Sequence, residues 1–186
     1  MSATTISLDR LYEFWPPFPV VLVSTLSKTG VPDVAPYGMH MPISFKPPIV
    51  TLGIVKSRKT YKNIVNTKEF VVNVPPDKLV DKINKAAWTC PSKINKFKKA
   101  GLTQTPSVKV KAPSVKECKV HFECRLDWVR TVGDHDIIAG RVVAITVDED
   151  LAKAPLEKLK QKMKPIFYGA KRYYALGKLL GVRTYG

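Results

Sequence analysis

The sequence predicts a mainly β fold, a β-barrel carrying short helices, and three observations lead there. From Lys119 to Trp128 apolar and polar side chains alternate with period two, and an apolar run returns after a turn. Earlier in the chain, short apolar runs rich in β-branched residues recur between Gly and Pro breakers. Helical periodicity is confined to brief segments. Many strands in hairpins leave exposed edges, and closure into a barrel removes them.

In chain order, Val20-Val21-Leu22-Val23-Ser24-Thr25 is apolar on both faces and predicts a doubly buried strand. Ser27-Lys28-Thr29-Gly30 supplies a hairpin turn, with Gly30 able to take a positive φ. Val34 to His40 reads as the returning strand. Pro47-Pro48 introduces a third run, Ile49 to Val55, in which Gly53 permits close backbone approach. Lys59 to Thr67 predicts a short helix with Tyr61, Ile64 and Val65 on one face, followed by a strand from Phe70 to Val74 that Pro75-Pro76 stops. Asp77 to Trp88 predicts an amphipathic helix with Leu79, Val80, Ile83 and Ala87 inward. Residues 89–118 read as irregular, broken by Pro91, Pro106 and Pro113. The alternating strand follows, with Val120, Phe122, Cys124, Leu126 and Trp128 inward. Gly133-Asp134-His135-Asp136 turns the chain, and Ile137 to Val147 returns as an antiparallel partner. Leu156 to Met163 predicts a short basic helix, and the tail from Pro165 is rich in Tyr and Gly.

The 186 residues show no linker, repeat or compositional break, so residues 1–186 read as one domain. The segment Met1 to Arg10 is polar and no apolar stretch follows, which predicts a protein without a secretory signal. No run is long enough for a transmembrane helix, so no membrane partner is expected. Cys90, Cys118 and Cys124 have no CxxC spacing and read as reduced thiols of a cytoplasmic protein. His40, His121 and His135 are not at metal-ligand spacing, and no metal is expected.

The formal net charge is +16. From Lys93 to Lys119 Glu117 is the sole acid among lysines, and from Leu151 to Gly186 Glu157 is the sole acid among lysines and arginines. Such surfaces concentrate anions, nucleotides and nucleic acids included. They also serve solubility alone, and the presence of only two Gln fits a Lys-rich thermophilic surface. A basic nucleic-acid-binding barrel is one reading, although no RNP-type aromatic signature or basic arm is present. Lys93-Ile94-Asn95-Lys96-Phe97-Lys98-Lys99 could clamp a backbone, but Ile94 and Phe97 at i,i+3 fit an amphipathic turn packed on the barrel.

Two segments point to a flat ligand that carries a phosphate. Ser57-Arg58-Lys59-Thr60 follows an apolar strand and leads into a helix N-terminus. Cations, hydroxyls and free N–H groups there suit a phosphate monoester; alternatively Ser57 caps the helix between two solvated cations. Val34 to Met39 carries no acid, base or nucleophile. Its small Ala35 and Gly38 let the backbone reach a heterocycle edge while Tyr37 and Met39 cover a face; an irregular edge strand around Pro36 would read the same way. His135 is either a nicotinamide-side or pH-sensitive contact or a solvated turn residue. Cys90, between Thr89 and Pro91, is either reactive or an inert buried thiol.

The order of these motifs resembles the flavin reductase-like FMN-binding family. The resemblance rests on Pro19 to Thr25, the Gly30 turn, Val34-Ala35-Pro36-Tyr37, Ser44 before Pro47-Pro48, Arg58-Lys59-Thr60 with Asn63-Ile64, and Thr67 to Asn73. It extends, in the manner of the flavoredoxin-type branch, through Asn95-Lys96-Phe97, Gly101-Leu102-Thr103, Cys118 to Glu123, Gly133-Asp134-His135 and Tyr173 to Gly177. It implies a split-barrel homodimer binding FMN non-covalently near the subunit interface. Arg58, Lys59, Thr60 and Ser57 would hold the phosphate; Ala35, Pro36, Tyr37, Gly38 and Met39 would line the isoalloxazine; Lys96, Phe97 and His135 would approach the ring. The chain departs from commoner members in having Tyr-Gly-Met-His after Pro36, where a Ser and an aromatic are usual. The reaction implied is NAD(P)H-dependent flavin reduction with onward electron transfer to an acceptor, the alternative being a non-catalytic FMN electron carrier.

Overall fold

The computed structural model describes residues 3–91 and 93–181. A short helix, α1 (Leu11–Phe14), precedes β1 (Phe18–Pro19), β2 (Val21–Leu26), β3 (Pro32–Tyr37), β4 (His40–Phe45) and β5 (Pro48–Ile54). Then come α2 (Lys59–Thr67), β6 (Glu69–Val74), α3 (Val80–Ala87) and α4 (Lys96–Ala100), and the two-residue strands β7 (Gln104–Thr105) and β8 (Ser114–Val115). The long hairpin β9 (Val120–Val132) and β10 (His135–Val147) is followed by α5 (Glu149–Ala152), α6 (Leu156–Met163), β11 (Ile166–Gly169) and β12 (Arg172–Ala175).

The main sheet has seven strands in the order β3-β2-β6-β9-β10-β5-β4, with every pairing antiparallel. Its two end strands, β3 and β4, are consecutive in the chain, with only Gly38 and Met39 between them. Two residues span no more than a few ångströms each, so the sheet must curl until its ends meet. Those ends do not pair with each other. The result is a barrel split between β3 and β4, so the exposed edges are brought together without being abolished.

The interior takes alternate residues of five strands: Val21 and Val23, Leu52 and Ile54, Phe70 and Val72, Cys124, and Ile138, with Ile64 of α2 at one end. Leu22 of β2 and Val20 just before it join a second core with Ile83 and Ala86 of α3 and Phe97 and Ala100 of α4. Thus β2 is buried on both faces, as its unbroken apolar run predicts. Ala86, rather than Ala87, faces that core.

The strict alternation predicted for β9 does not hold. His121 and Glu123 are buried, and Trp128 is exposed. The supposedly polar face is covered because the segment before the hairpin folds back across it. Glu123 accepts backbone N–H bonds from Val108 (2.8 Å), Lys109 (2.6 Å) and Val110 (3.2 Å). Asn73 accepts from Val115 N (2.8 Å) and lies 2.9 Å from His121 Nδ1. Apart from the short pair β7 and β8, residues 103–118 are irregular in backbone yet anchored by buried acceptors, whose bonds offset the burial of polar atoms.

Candidate functional site

A cleft of about 820 Å³ opens beside the split in the barrel. Its floor comes from Ala35, Pro36 and Tyr37 at the end of β3 and from the connection Gly38-Met39, where the chain leaves one edge strand for the other. Gly38 packs tightly there, for a Cβ on it would meet Phe18 Cβ at 3.2 Å. Gly53 on β5 has Met39 above it and donates its N–H to Met39 O at 2.8 Å, which fixes this connection against the opposite side of the split.

The second wall is the start of α2. Arg58 is its N-cap residue, in extended conformation and with no side-chain cap. Ser57 therefore does not cap the helix, and no side chain caps its first-turn N–H groups, which border the cleft. Two polar anchors orient α2. Asn63 Nδ2 donates to Thr25 Oγ1 on β2 (2.9 Å), and Tyr61 Oη donates to Asp136 Oδ2 on β10 (2.7 Å). Polar Thr60 and Asn63 are buried beside Ile64, Tyr61 packs half-buried against the same core as predicted, and Val65 is half-buried.

Behind this wall lies a buried charge cluster that sequence reasoning missed. Asp33 on β3 is fully buried; Lys59 Nζ lies 3.3 Å and Lys96 Nζ 3.8 Å from its Oδ1, and Thr60 Oγ1 donates to Oδ2 at 3.4 Å. Both ammoniums are close enough for charge pairing, though no hydrogen bond reaches Oδ1. Lys59 Nζ also donates to Ile94 O (2.9 Å) and Lys96 Nζ to Ala86 O (3.2 Å). Desolvation lowers the Lys96 pKa against the opposing pull of Asp33. Desolvation likewise raises the Tyr37 hydroxyl to about 12, opposed by its hydrogen bond with Thr60. An acid immediately ahead of the predicted strand, Asp33 before Val34, was the one signal of this cluster in the sequence.

The predicted residues Ala35, Pro36, Tyr37, Gly38, Met39, Ser57, Arg58, Lys59, Thr60, Lys96 and His135 all border this one cleft. Phe97 does not. It is fully buried in the core under α3 and α4, because the helix that brings Lys96 to the cleft turns the next residue inward. His135 belongs to β10, opposite Val132, and its Nδ1 lies 2.7 Å from Asp134 Oδ1. Sequence reasoning did not place Trp88 and Thr89, which follow α3 and border the cleft; Arg58 Nη1 donates to Thr89 Oγ1 at 3.3 Å. Cys90 also borders it, whereas Cys118 and Cys124 are buried thiols whose pKa desolvation raises.

Among the described residues no carboxylate borders the cleft, while Lys28, Arg58, Lys59, Lys62 and Lys96 do. The arrangement offers backbone and aromatic surface at one end and cations with free helix amides at the other. Such an arrangement can accommodate a flat ligand with an anionic tail.

Residues 16–177 match a family model described as flavin reductase like domain. An uncharacterized protein of Aquifex aeolicus (strain VF5) is 34% identical over 163 residues, covering 85% of this chain and 83% of that protein. In fold, the chain is similar to nitrilotriacetate monooxygenase component B from Bacillus cereus, at 25% identity and a TM-score of 0.90 over 98% of this chain and 100% of the other. It is also similar to the flavoredoxin of Desulfovibrio vulgaris (Miyazaki F), at 24% identity and a TM-score of 0.83 over 97% and 98% of the two chains.

Proposed function

Because this chain belongs to the flavin reductase-like domain family, we propose that it binds FMN non-covalently in the cleft and carries electrons from NAD(P)H through the flavin to a further acceptor. The observation that carries this reading is the pairing of a carboxylate-free cationic wall at the start of α2 with the small-residue connection Gly38-Met39 across the same cleft. The flavin, when bound, supplies the hydride and electron chemistry. The protein's part is to bind, orient and exclude water.

Ser57 and Arg58 are exposed at the cleft, and with the uncapped start of α2 beside them they suit a phosphate. Lys59, Lys96 and Thr60 contribute mostly through the field of the cluster on Asp33, because their polar atoms already bond inside the protein. Ala35 to Met39 offer backbone groups to a heterocycle edge, and the Tyr37 ring lies beside them. No carboxylate stands ready as a general acid or base in the cleft, which suits chemistry centred on a redox ring.

Arg58→Ala tests the reading. Hydrogen bonds to charged groups are worth roughly 1.5–3 kcal/mol, so FMN affinity should fall about 10- to 150-fold. Riboflavin, which lacks the phosphate, should change much less. Equal losses for the two ligands would move the phosphate site elsewhere, and wild-type protein without flavin affinity would remove the proposal. Rapid-mixing bleaching of the bound flavin by NADH or NADPH separates a reductase from an electron carrier.

A homodimer belongs to the same proposal. Met41 (60% exposed) and Phe45 (84%) on edge strand β4 present an apolar surface beside the split. A second subunit would cover that surface and shield the cleft mouth. Sedimentation equilibrium should show a dimer at micromolar concentration, and a clean monomer with flavin bound would oppose it.

A further inference from the structure

We propose that Lys96 adjusts the charge of the cleft, taking up a proton from solvent as an anionic group docks there and giving it back on release. This rests on the anion-binding reading of the cleft and adds to it a coupling between ligand and proton. One carboxylate serves two buried ammoniums. Asp33 is fully buried on β3, and the side chains of Lys59 on α2 and Lys96 on α4 are 13% and 7% exposed. Asp33 Oδ1 lies nearer to Lys59 Nζ, at 3.3 Å, than to Lys96 Nζ, at 3.8 Å. Its Oδ2 accepts from Thr60 Oγ1 at 3.4 Å. Asp33 therefore balances Lys59 and leaves the charge of Lys96 in surplus.

No further carboxylate relieves that surplus. Among the described residues Lys96 pairs with Asp33 alone, and no carboxylate borders the cleft. The charged or titratable groups that act on it are Asp33, Cys90, Lys59 and Arg58. Lys59 and Arg58 oppose its charge, and the guanidinium keeps its own proton throughout. The uncapped start of α2 adds partial positive charge beside them. Cys90 offsets them only as a thiolate.

A buried charge without its full match is costly, and such a group tends to neutralise instead. Desolvation is accordingly the largest influence on Lys96 and lowers its pKa. As an amine or as an ammonium, its Nζ keeps Ala86 O as acceptor at 3.2 Å. A docked phosphate or sulfate supplies the missing negative charge and favours the ammonium. The proton passes from water to the Nζ lone pair, and no bond to the ligand forms. Uptake is confined to pH values between the lowered pKa and the ordinary lysine value of about 10.4.

Calorimetric titration of FMN, riboflavin and sulfate at pH 9, each in two buffers of different ionisation enthalpy, counts the protons taken up. Phosphate and sulfate are fully ionised at that pH, and the isoalloxazine is common to FMN and riboflavin, so the difference reports the protein. FMN and sulfate should each bring in about half a proton and riboflavin far less; FMN affinity should then weaken about threefold from pH 8.5 to 9.5. Lys96→Met should abolish the uptake, Lys96→Arg should bind FMN without that pH dependence, and Cys90→Ser should keep both. Asp33→Asn should move the uptake to lower pH, a shift that a purely structural Lys96 would not produce. Wild type alone can overturn the coupling, by taking up no proton with either anion or as many with riboflavin as with FMN. Uptake that persists in Lys96→Met, or disappears in Cys90→Ser, would overturn it too. Wild type that takes up protons with sulfate yet fails to bind FMN would strike the proposed function and leave the coupling standing.

Discussion

Asp33 is the buried anion on which two cleft lysines depend, and its removal has consequences that can be worked from the structure. Its side chain is fully buried, and those of Lys59 and Lys96 are 13% and 7% exposed. Removing one partner of a buried ion pair costs about 3–5 kcal/mol. Here Lys59 and Lys96 keep backbone acceptors at Ile94 and Ala86, and the cleft admits water, so Asp33→Asn should cost about 2–3 kcal/mol. The deficit should depend on pH. Desolvation already lowers the Lys96 pKa, and Asp33 is the largest opposing influence. In the variant that pKa falls further. Between it and the ordinary lysine value the unfolded chain binds more protons than the folded one, so stability rises with pH through that window. Guanidinium denaturation at pH 7 and pH 9.5 should therefore show a deficit that shrinks at the higher pH. Adding Lys96→Met should recover about half of it by removing the uncompensated charge. A deficit below about 0.5 kcal/mol, or one equal at both pH values, would refute the idea that this carboxylate holds the cluster together.

The remaining predictions concern the supports of the cleft. Glu123→Ala leaves the amides of Val108, Lys109 and Val110 without their acceptor and should lower stability by about 3 kcal/mol, with faster hydrogen exchange at those three amides; unchanged exchange would contradict this anchoring role. A Cβ on Gly140 would lie 2.2 Å from Phe70 Cζ inside the barrel. Gly140→Ala should accordingly cost about 3 kcal/mol, and Phe70→Leu should relieve part of that loss when added to it. With its pKa pushed up to about 12, Tyr37 in the folded state binds its proton more tightly than in the unfolded chain. Wild type should therefore lose about 1–3 kcal/mol between pH 10 and 12 that Tyr37→Phe retains, and parallel pH–stability curves would exclude the effect.

The sequence by itself determined the elements that short-range physics controls. Helices over Lys59 to Thr67 and Leu156 to Met163, the Gly30 turn and the long hairpin all stand where periodicity and turn chemistry put them. Two motifs far apart in the chain, around Ala35 to Met39 and Ser57 to Thr60, line one cleft, and each was legible through its own local logic of small residues or helix-start cations. Strand β4 was not legible, since Met41, Ile43 and Phe45 point apolar side chains outward on an edge, and no inward–outward pattern marks it. The alternation of β9 misled for a related reason: whether a polar face meets water depends on what folds over it, and only residues 103–118 returning to Glu123 decide that. Tertiary structure also decided that Phe97 belongs to the core while Lys96 reaches the cleft, and that Asp33, Lys59 and Lys96 share one buried cluster. Burial and charge pairing between residues remote in sequence are set when the sheet curls and its two ends meet, and no local pattern encodes them.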